Sequence, residues 1–98
     1  MLDPESLDVF VAIAELDHFV RAADRLGIAQ SVVSKRLKRL EDQIGTRLVE
    51  RGQRHKVALT RSGELFLPEA RAAIAALDRA EQLGRTFGRG EAGPIKIG

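Results

Sequence analysis

The chain contains no cysteine, no tryptophan and no tyrosine, and only two histidines. Without cysteine, neither a disulfide nor a thiolate-held zinc can staple the fold. His18 and His55 lie far apart in the sequence and show no metal-ligand spacing, so no metal site is expected. The four aromatic residues are all phenylalanine, and Phe10, Phe66 and Phe87 fall on apolar stripes, while Phe19 reads as core. The exposed aromatic platform on which RNA and single-strand binders stack bases is therefore missing. No apolar run approaches the ~18 residues of a membrane span. The N-terminus opens with acids rather than with the basic-then-apolar pattern of a signal peptide. A soluble chain, neither exported nor membrane-bound, is the expectation.

Catalytic constellations are also absent, because no nucleophile has a base at a useful spacing. Gly88-x-Gly90-x-x-Gly93 formally matches a dinucleotide fingerprint, but that fingerprint requires a strand before it and a helix after it. Here a helical pattern precedes and a strand-like segment follows, so the glycines read as a hinge. Neither an enzyme nor a cofactor is expected.

What the chain does contain is an uneven distribution of charge. Residues 1–17 carry five acids and no base, whereas residues 18–61 carry eleven bases against four acids, a local charge of +7. The rest balances, leaving +2 for all 98 residues. A basic centre between neutral and acidic flanks is the footprint of a polyanion-binding surface. Ninety-eight residues support one small core, which commonly gains stability by oligomerisation.

Asp3-Pro4-Glu5 is a helix start, with Asp as N-cap and Pro at the first helical position. Leu7, Phe10, Val11 and Ala14 then share one helical face, and this helix should stop near Leu16-Asp17. A short second helix is predicted over 19–26, with Ala22, Ala23 and Leu26 inward, ended by Gly27. A third is predicted over 30–44, where Val33, Leu37, Leu40 and Ile44 form a narrow apolar stripe. Its opposite face carries Ser31, Ser34, Lys35, Lys38 and Asp42. Gly45 closes it. Leu48-Val49 and Val57-Ala58-Leu59 flank Glu50 to Lys56, which reads as a two-stranded hairpin with a basic tip. Thr60 then caps a long helix running to about Thr86. In it Phe66, Ala70, Ala73, Leu77, Ala80, Gly84 and Phe87 keep the alternating spacing of a coiled-coil seam, and Pro68 should bend it locally. Pro94 to Gly98 reads as the start of a strand without a partner in this chain.

The expected fold class is mainly α: a winged helix-turn-helix of three helices and a two-stranded β-hairpin wing, followed by a long dimerisation helix. Residues 1–60 would form the DNA-binding domain, 61–87 the linker helix, and 88–98 a hinge and the start of a further domain that is absent here. In a helix-turn-helix the second helix enters the major groove while the first braces it. Short polar side chains suit that groove, and an amide such as Gln30 bonds adenine N6/N7 in bidentate fashion. Lysines 35 and 38 reach a guanine edge or a phosphate, Arg36 and Arg39 flank toward the backbone, and Arg54 could enter an adjacent minor groove. A pure dimerisation module would explain the long seam but not the basic turn and wing.

The run Phe19-Val20-Arg21-Ala22-Ala23-Asp24-Arg25-Leu26, then Gln30-Ser31-Val32-Val33-Ser34-Lys35-Arg36-Leu37 and Leu40-Glu41, resembles the LysR-type transcriptional regulators. The likeness continues through Gly45, Leu48, Arg51, Arg54, Leu59-Thr60 and Gly63 to the closing Gly-x-Ile-x-Ile-Gly. It favours that family over the molybdate-responsive regulators, which carry a similar winged helix. The resemblance implies a bacterial, cytoplasmic transcription factor that binds an interrupted inverted repeat in double-stranded promoter DNA. It also implies a homodimer held by the linker helix, with dimers often pairing into tetramers, and a small-molecule inducer acting only through the absent domain. The candidate DNA-contacting set is Gln30, Ser31, Val33, Ser34, Lys35, Lys38, Arg39, Arg51 and Arg54, with His18 and Arg21 at the second helix. The candidate dimer set is Phe66, Ala70, Ala73, Leu77, Ala80 and Phe87. His18 stands where the family usually has serine, and Ala29 where it has serine or threonine, so both positions are expected to lose a cap or phosphate contact.

Overall fold

The computed structural model describes residues 1–88. Asp3, in extended backbone geometry, precedes Pro4 at the first position of helix α1, Pro4–Leu16. Fixed φ and a dispensable N–H suit proline to that position. Helices α2 (Phe19–Leu26) and α3 (Gln30–Ile44) follow, then strand β1 (Val49–Arg51), a 3₁₀ turn (Gln53–His55), strand β2 (Val57–Leu59) and the long helix α4 (Arg61–Gly88).

Two glycines set the helical boundaries. Gly27 (φ 68°) ends α2 and Gly45 (φ 88°) ends α3, both left-handed, a geometry that a Cβ penalises. Ile28 N–H reaches back to the Ala23 carbonyl at 3.1 Å and Thr46 N–H to that of Glu41 at 3.2 Å, closing each end. α1 is the central element and packs against α2, α3, α4 and β2. Because it is covered on several sides, Val9, Ala12 and Ile13 are buried along with Leu7 and Phe10, and the buried face is broader than the single stripe read from sequence. Val11 and Ala14 are only half-buried.

His18 overturns an expectation. Its imidazole does cap α2: the Arg21 N–H donates to His18 Nδ1 at 3.3 Å. His18→Ala should therefore cost about 1 kcal/mol of stability and His18→Ser very little; equal melting midpoints for wild type and the alanine variant would refute the cap. Ala29, by contrast, gives α3 no side-chain cap.

The wing is an antiparallel pair with Val49 opposite Leu59, Glu50 opposite Ala58 and Arg51 opposite Val57. Glu50 and Arg51, expected in the tip, thus belong to β1; their outward, charged side chains hide a pairing made by the backbone. The tip is Gly52 to Lys56, closed by the Gly52 N–H on the Lys56 carbonyl at 2.7 Å. The returning strand is tied to the α1–α2 turn, where Val57 N–H donates to the Asp17 carbonyl at 3.1 Å and His18 bridges to Lys56. The base of the hairpin is held by Glu41, whose carboxylate accepts from Leu48 N–H (2.8 Å) and Val49 N–H (3.3 Å).

Thr60 caps α4 as expected, accepting from Gly63 N–H at 3.0 Å while its hydroxyl donates to the Arg47 carbonyl at 2.7 Å. The helix is continuous through Pro68. Its first half lies on α1: the Phe66 ring centroid is 5.7 Å from that of Phe10, Ala70 is buried, and Leu67, Ala73 and Ile74 pack against the core. Ala70 therefore serves the fold of one chain and leaves the candidate dimer seam, while Phe66 and Ala73 pack on α1 with part of their surface still exposed. Gly88 lies in α4 rather than opening a hinge; the rest of the proposed hinge and the strand over 94–98 lie outside the described residues.

Candidate nucleic-acid interface

Helix α2, the turn Gly27-Ile28-Ala29 and helix α3 form the helix-turn-helix, with Ala22, Ala23, Val33, Leu37 and Leu40 buried where the two helices meet the core. Burying one stripe of α3 fixes what the other side presents. Gln30, Ser31, Lys35 and Lys38 are exposed and Ser34 is half-exposed. Val33 is fully buried and is withdrawn from the candidate contact set, since the same stripe cannot both fill the core and meet a ligand. On the flank, Arg39 Nε lies 3.1 Å from Asp3 Oδ2, and Lys38 pairs loosely with Asp42 at 3.7 Å. Such exposed pairs hold their cations weakly.

The wing stands beside this surface. An open groove between α3 and the base of the hairpin is lined by Ser34, Lys38, Asp42, Thr46, Arg47 and Arg51. At the other end of the wing, the His55 ring centroid comes within 6.1 Å of that of His18, which collects His18, Arg21, His55 and Lys56 at the start of α2. Arg54 is exposed at the tip in left-handed geometry, φ 55°. Among the described residues, Arg21, Lys35, Arg54 and Lys56 form no ion pair. Away from this face, Arg25 and Arg71 are occupied internally. Glu15 accepts from Arg25 at 2.7 Å and from Arg71 at 3.4 Å, and the Arg25 hydrogen bond, followed by the two positive charges, holds its carboxyl below the usual glutamate range. Among the described residues, unpaired positive charge thus gathers on α3, the start of α2 and the wing, with Arg61, Arg79 and Arg85 spread along α4.

Three sets of contacts escaped the sequence reading. Arg51 lies over the Phe19 ring, with Cζ 4.2 Å from the centroid, and donates from Nη2 to Ser34 Oγ at 3.2 Å. The Glu41 clamp and the His18–Lys56 bridge are the others. All three join residues far apart in sequence that carry no shared periodicity; only the Leu-Glu pair at 40–41 hinted at the clamp. No helix among the described residues is long and apolar enough to cross a membrane.

Residues 4–64 match the sequence profile of the family described as bacterial regulatory helix-turn-helix protein, lysR family. The HTH-type transcriptional regulator YnfL of Escherichia coli is 44% identical over 92 residues, which is 94% of this chain and 31% of YnfL. Among solved structures, the oxidized form of Corynebacterium glutamicum OxyR is similar with a TM-score of 0.81 and 37% identity, over 86% of this chain and 27% of that one. A complex of the BenM DNA-binding domain with catB site 1 DNA is similar with a TM-score of 0.79 and 32% identity, over 88% of this chain and 96% of that one. This chain spans about a third of the length of most of the curated relatives it matches.

Proposed function

This chain belongs to the LysR family of bacterial regulatory helix-turn-helix proteins, and from that premise we propose that it binds double-stranded DNA in a sequence-specific manner. Helix α3 enters the major groove and the wing lies at the neighbouring minor groove. The observation that carries this reading is the exposed polar and basic face of α3 beside a basic wing, on a fold like that of the BenM domain solved on DNA. Gln30, Ser31, Ser34 and Lys35 read bases. Lys38, Arg39, Arg21 and His18 face phosphates, and Arg54 enters the minor groove. The uncapped start of α3 leaves its first amides and its dipole open to a phosphate.

Residues 1–60 are the DNA-binding unit in this reading and 61–87 the linker through which two copies pair. With Ala70 buried and Phe66 and Ala73 partly packed on α1, the pairing surface centres on the second half of α4, where Leu77, Leu83 and Phe87 are exposed apolar side chains, with Ala80 between them. An inverted repeat in promoter DNA is the matching target, because a two-fold dimer presents two recognition helices about 34 Å apart, or a multiple of that. An effector domain beyond the linker, in the region of the longer relatives that this chain does not cover, would bind the inducer and pair dimers into tetramers. Transcription control in the bacterial cytoplasm, rather than catalysis, is the role.

Two substitutions test the division of labour. Gln30→Ala should lose about 1–3 kcal/mol of discrimination at one base pair while retaining general affinity, whereas Lys38→Ala should weaken selected and scrambled duplexes alike and lower the salt slope by about 1. Binding competitions on a duplex selected from a random pool distinguish the two. An unchanged base preference in Gln30→Ala would refute the placement of α3.

A further inference from the structure

We propose that Arg51 is a positioning residue that sets the specificity of Ser34, not a phosphate contact; the proposal rests on the DNA-binding reading above. Arg51 is the last residue of β1, yet its side chain touches both helices of the helix-turn-helix. Its guanidinium sits over the Phe19 ring of α2, with Cζ 4.2 Å from the centroid, and Nη2 donates to Ser34 Oγ on α3. Phe19 is itself buried, so the ring is a fixed platform. One planar cation therefore fastens the wing, the bracing helix and the recognition helix together.

The hydrogen bond also has a direction. A serine hydroxyl has one proton to donate and two lone pairs to accept with. Arginine has only donors, so Ser34 must accept from Arg51. Its proton and one lone pair then remain, so the single donor it has is free for an acceptor on the base edge: purine N7 or O6, or thymine O4. Lysine cannot replace arginine here. It keeps the charge but lacks the planar face that stacks on an aromatic ring and the fork that spans two partners.

These features separate positioning from phosphate binding. The experiment uses the full 98-residue chain, the duplex it selects from a random pool, and a scrambled duplex of equal length and composition. Fluorescence anisotropy across a salt series is measured for wild type, Arg51→Lys, Arg51→Gln, Ser34→Ala and the Arg51→Lys/Ser34→Ala double variant, with melting curves to establish folding. Both Arg51 variants should lose about three- to tenfold in the ratio of selected to scrambled binding, the size that one exposed cation–π contact plus one hydrogen bond carries. Lysine should do no better than glutamine, and the double variant no worse than Ser34→Ala. The salt slope of Arg51→Gln should equal that of wild type, because a lost phosphate contact would lower it by about 0.9.

Full retention of the ratio by Arg51→Lys, a slope reduced by about one contact in Arg51→Gln, or losses that multiply in the double variant would each overturn the proposal. Were Arg51→Gln to fail to fold, Arg51→Lys and the double variant decide it alone. A wild-type chain that selects no duplex overturns the DNA-binding reading, and the role of Arg51 falls with it; variants that behave as phosphate contacts on a selected duplex overturn only this inference.

Discussion

Gly63→Ala should destabilise the fold by about 3 kcal/mol or more, since a side chain added there has no room to relax. A Cβ on Gly63 would collide with the carbonyl oxygen of Leu48 and stand 3.1 Å from its carbon. Those atoms are backbone, so no rotamer change can clear them. The same oxygen accepts the Thr60 N–H at 3.0 Å, and Leu48 is held on its other side by Glu41. Moving the carbonyl therefore strains the hairpin base and the start of α4 together. For a domain of this size, 1 kcal/mol shifts the midpoint by about 4–8 °C, so the loss should read as a drop of well over 10 °C in a thermal melt. Gly84→Ala, on the same helix with nothing within 4 Å of the added atom, should match or exceed wild type, because alanine is the better helix former. A wild-type midpoint for Gly63→Ala would mean that α4 does not approach Leu48 as described.

Leu83→Asp should reduce affinity for an inverted-repeat duplex by about 10²-fold or more, the loss expected when two linked half-site contacts become independent. Leu83 is 53% exposed, and Leu77 and Phe87 are each 42% exposed. Three large apolar side chains on the free half of one helix are what a partner helix would cover. A carboxylate in that stripe would be desolvated on pairing, at a cost that leaves the monomer unaffected. The melting curve at low protein concentration should stay near wild type, while sedimentation or light scattering shows monomer. The half-site affinity should also be retained. A dimer of undiminished strength would move the interface away from this stripe.

The sequence was most legible where local chemistry decides the structure alone. Gly27 and Gly45 mark helix ends because only a left-handed residue can close them, and the Val33, Leu37, Leu40 spacing identified the buried side of α3. Pro4 and Thr60 announced the starts of α1 and α4 in the same way, although the Asp3 side chain makes no capping hydrogen bond to α1. What stayed hidden depended on partners distant in sequence. The heptad-like spacing from Phe66 to Phe87 is apolar throughout, and spacing cannot say whether a stripe is covered by α1 of the same chain or by a second copy. The fold assigns the first half to α1 and leaves the second exposed. Arg51 illustrates the same limit with charge. A basic residue on a wing reads as a phosphate contact until the Phe19 ring is found beneath it. His18 was misread for another reason: imidazole is seldom counted among capping groups, yet its Nδ1 accepts an amide hydrogen bond as an oxygen does.

Specific recognition of duplex DNA by the α3 face and the wing is most directly tested by fluorescence anisotropy of this chain on a duplex it selects from a random pool and on a scrambled control, from about 50 to 200 mM salt. If six or more phosphates are engaged, affinity should fall by about 10³-fold or more across that range, and the selected duplex should keep a clear advantage over the scrambled one at every salt concentration. Equal affinity for both duplexes, or binding indifferent to salt, would contradict the account.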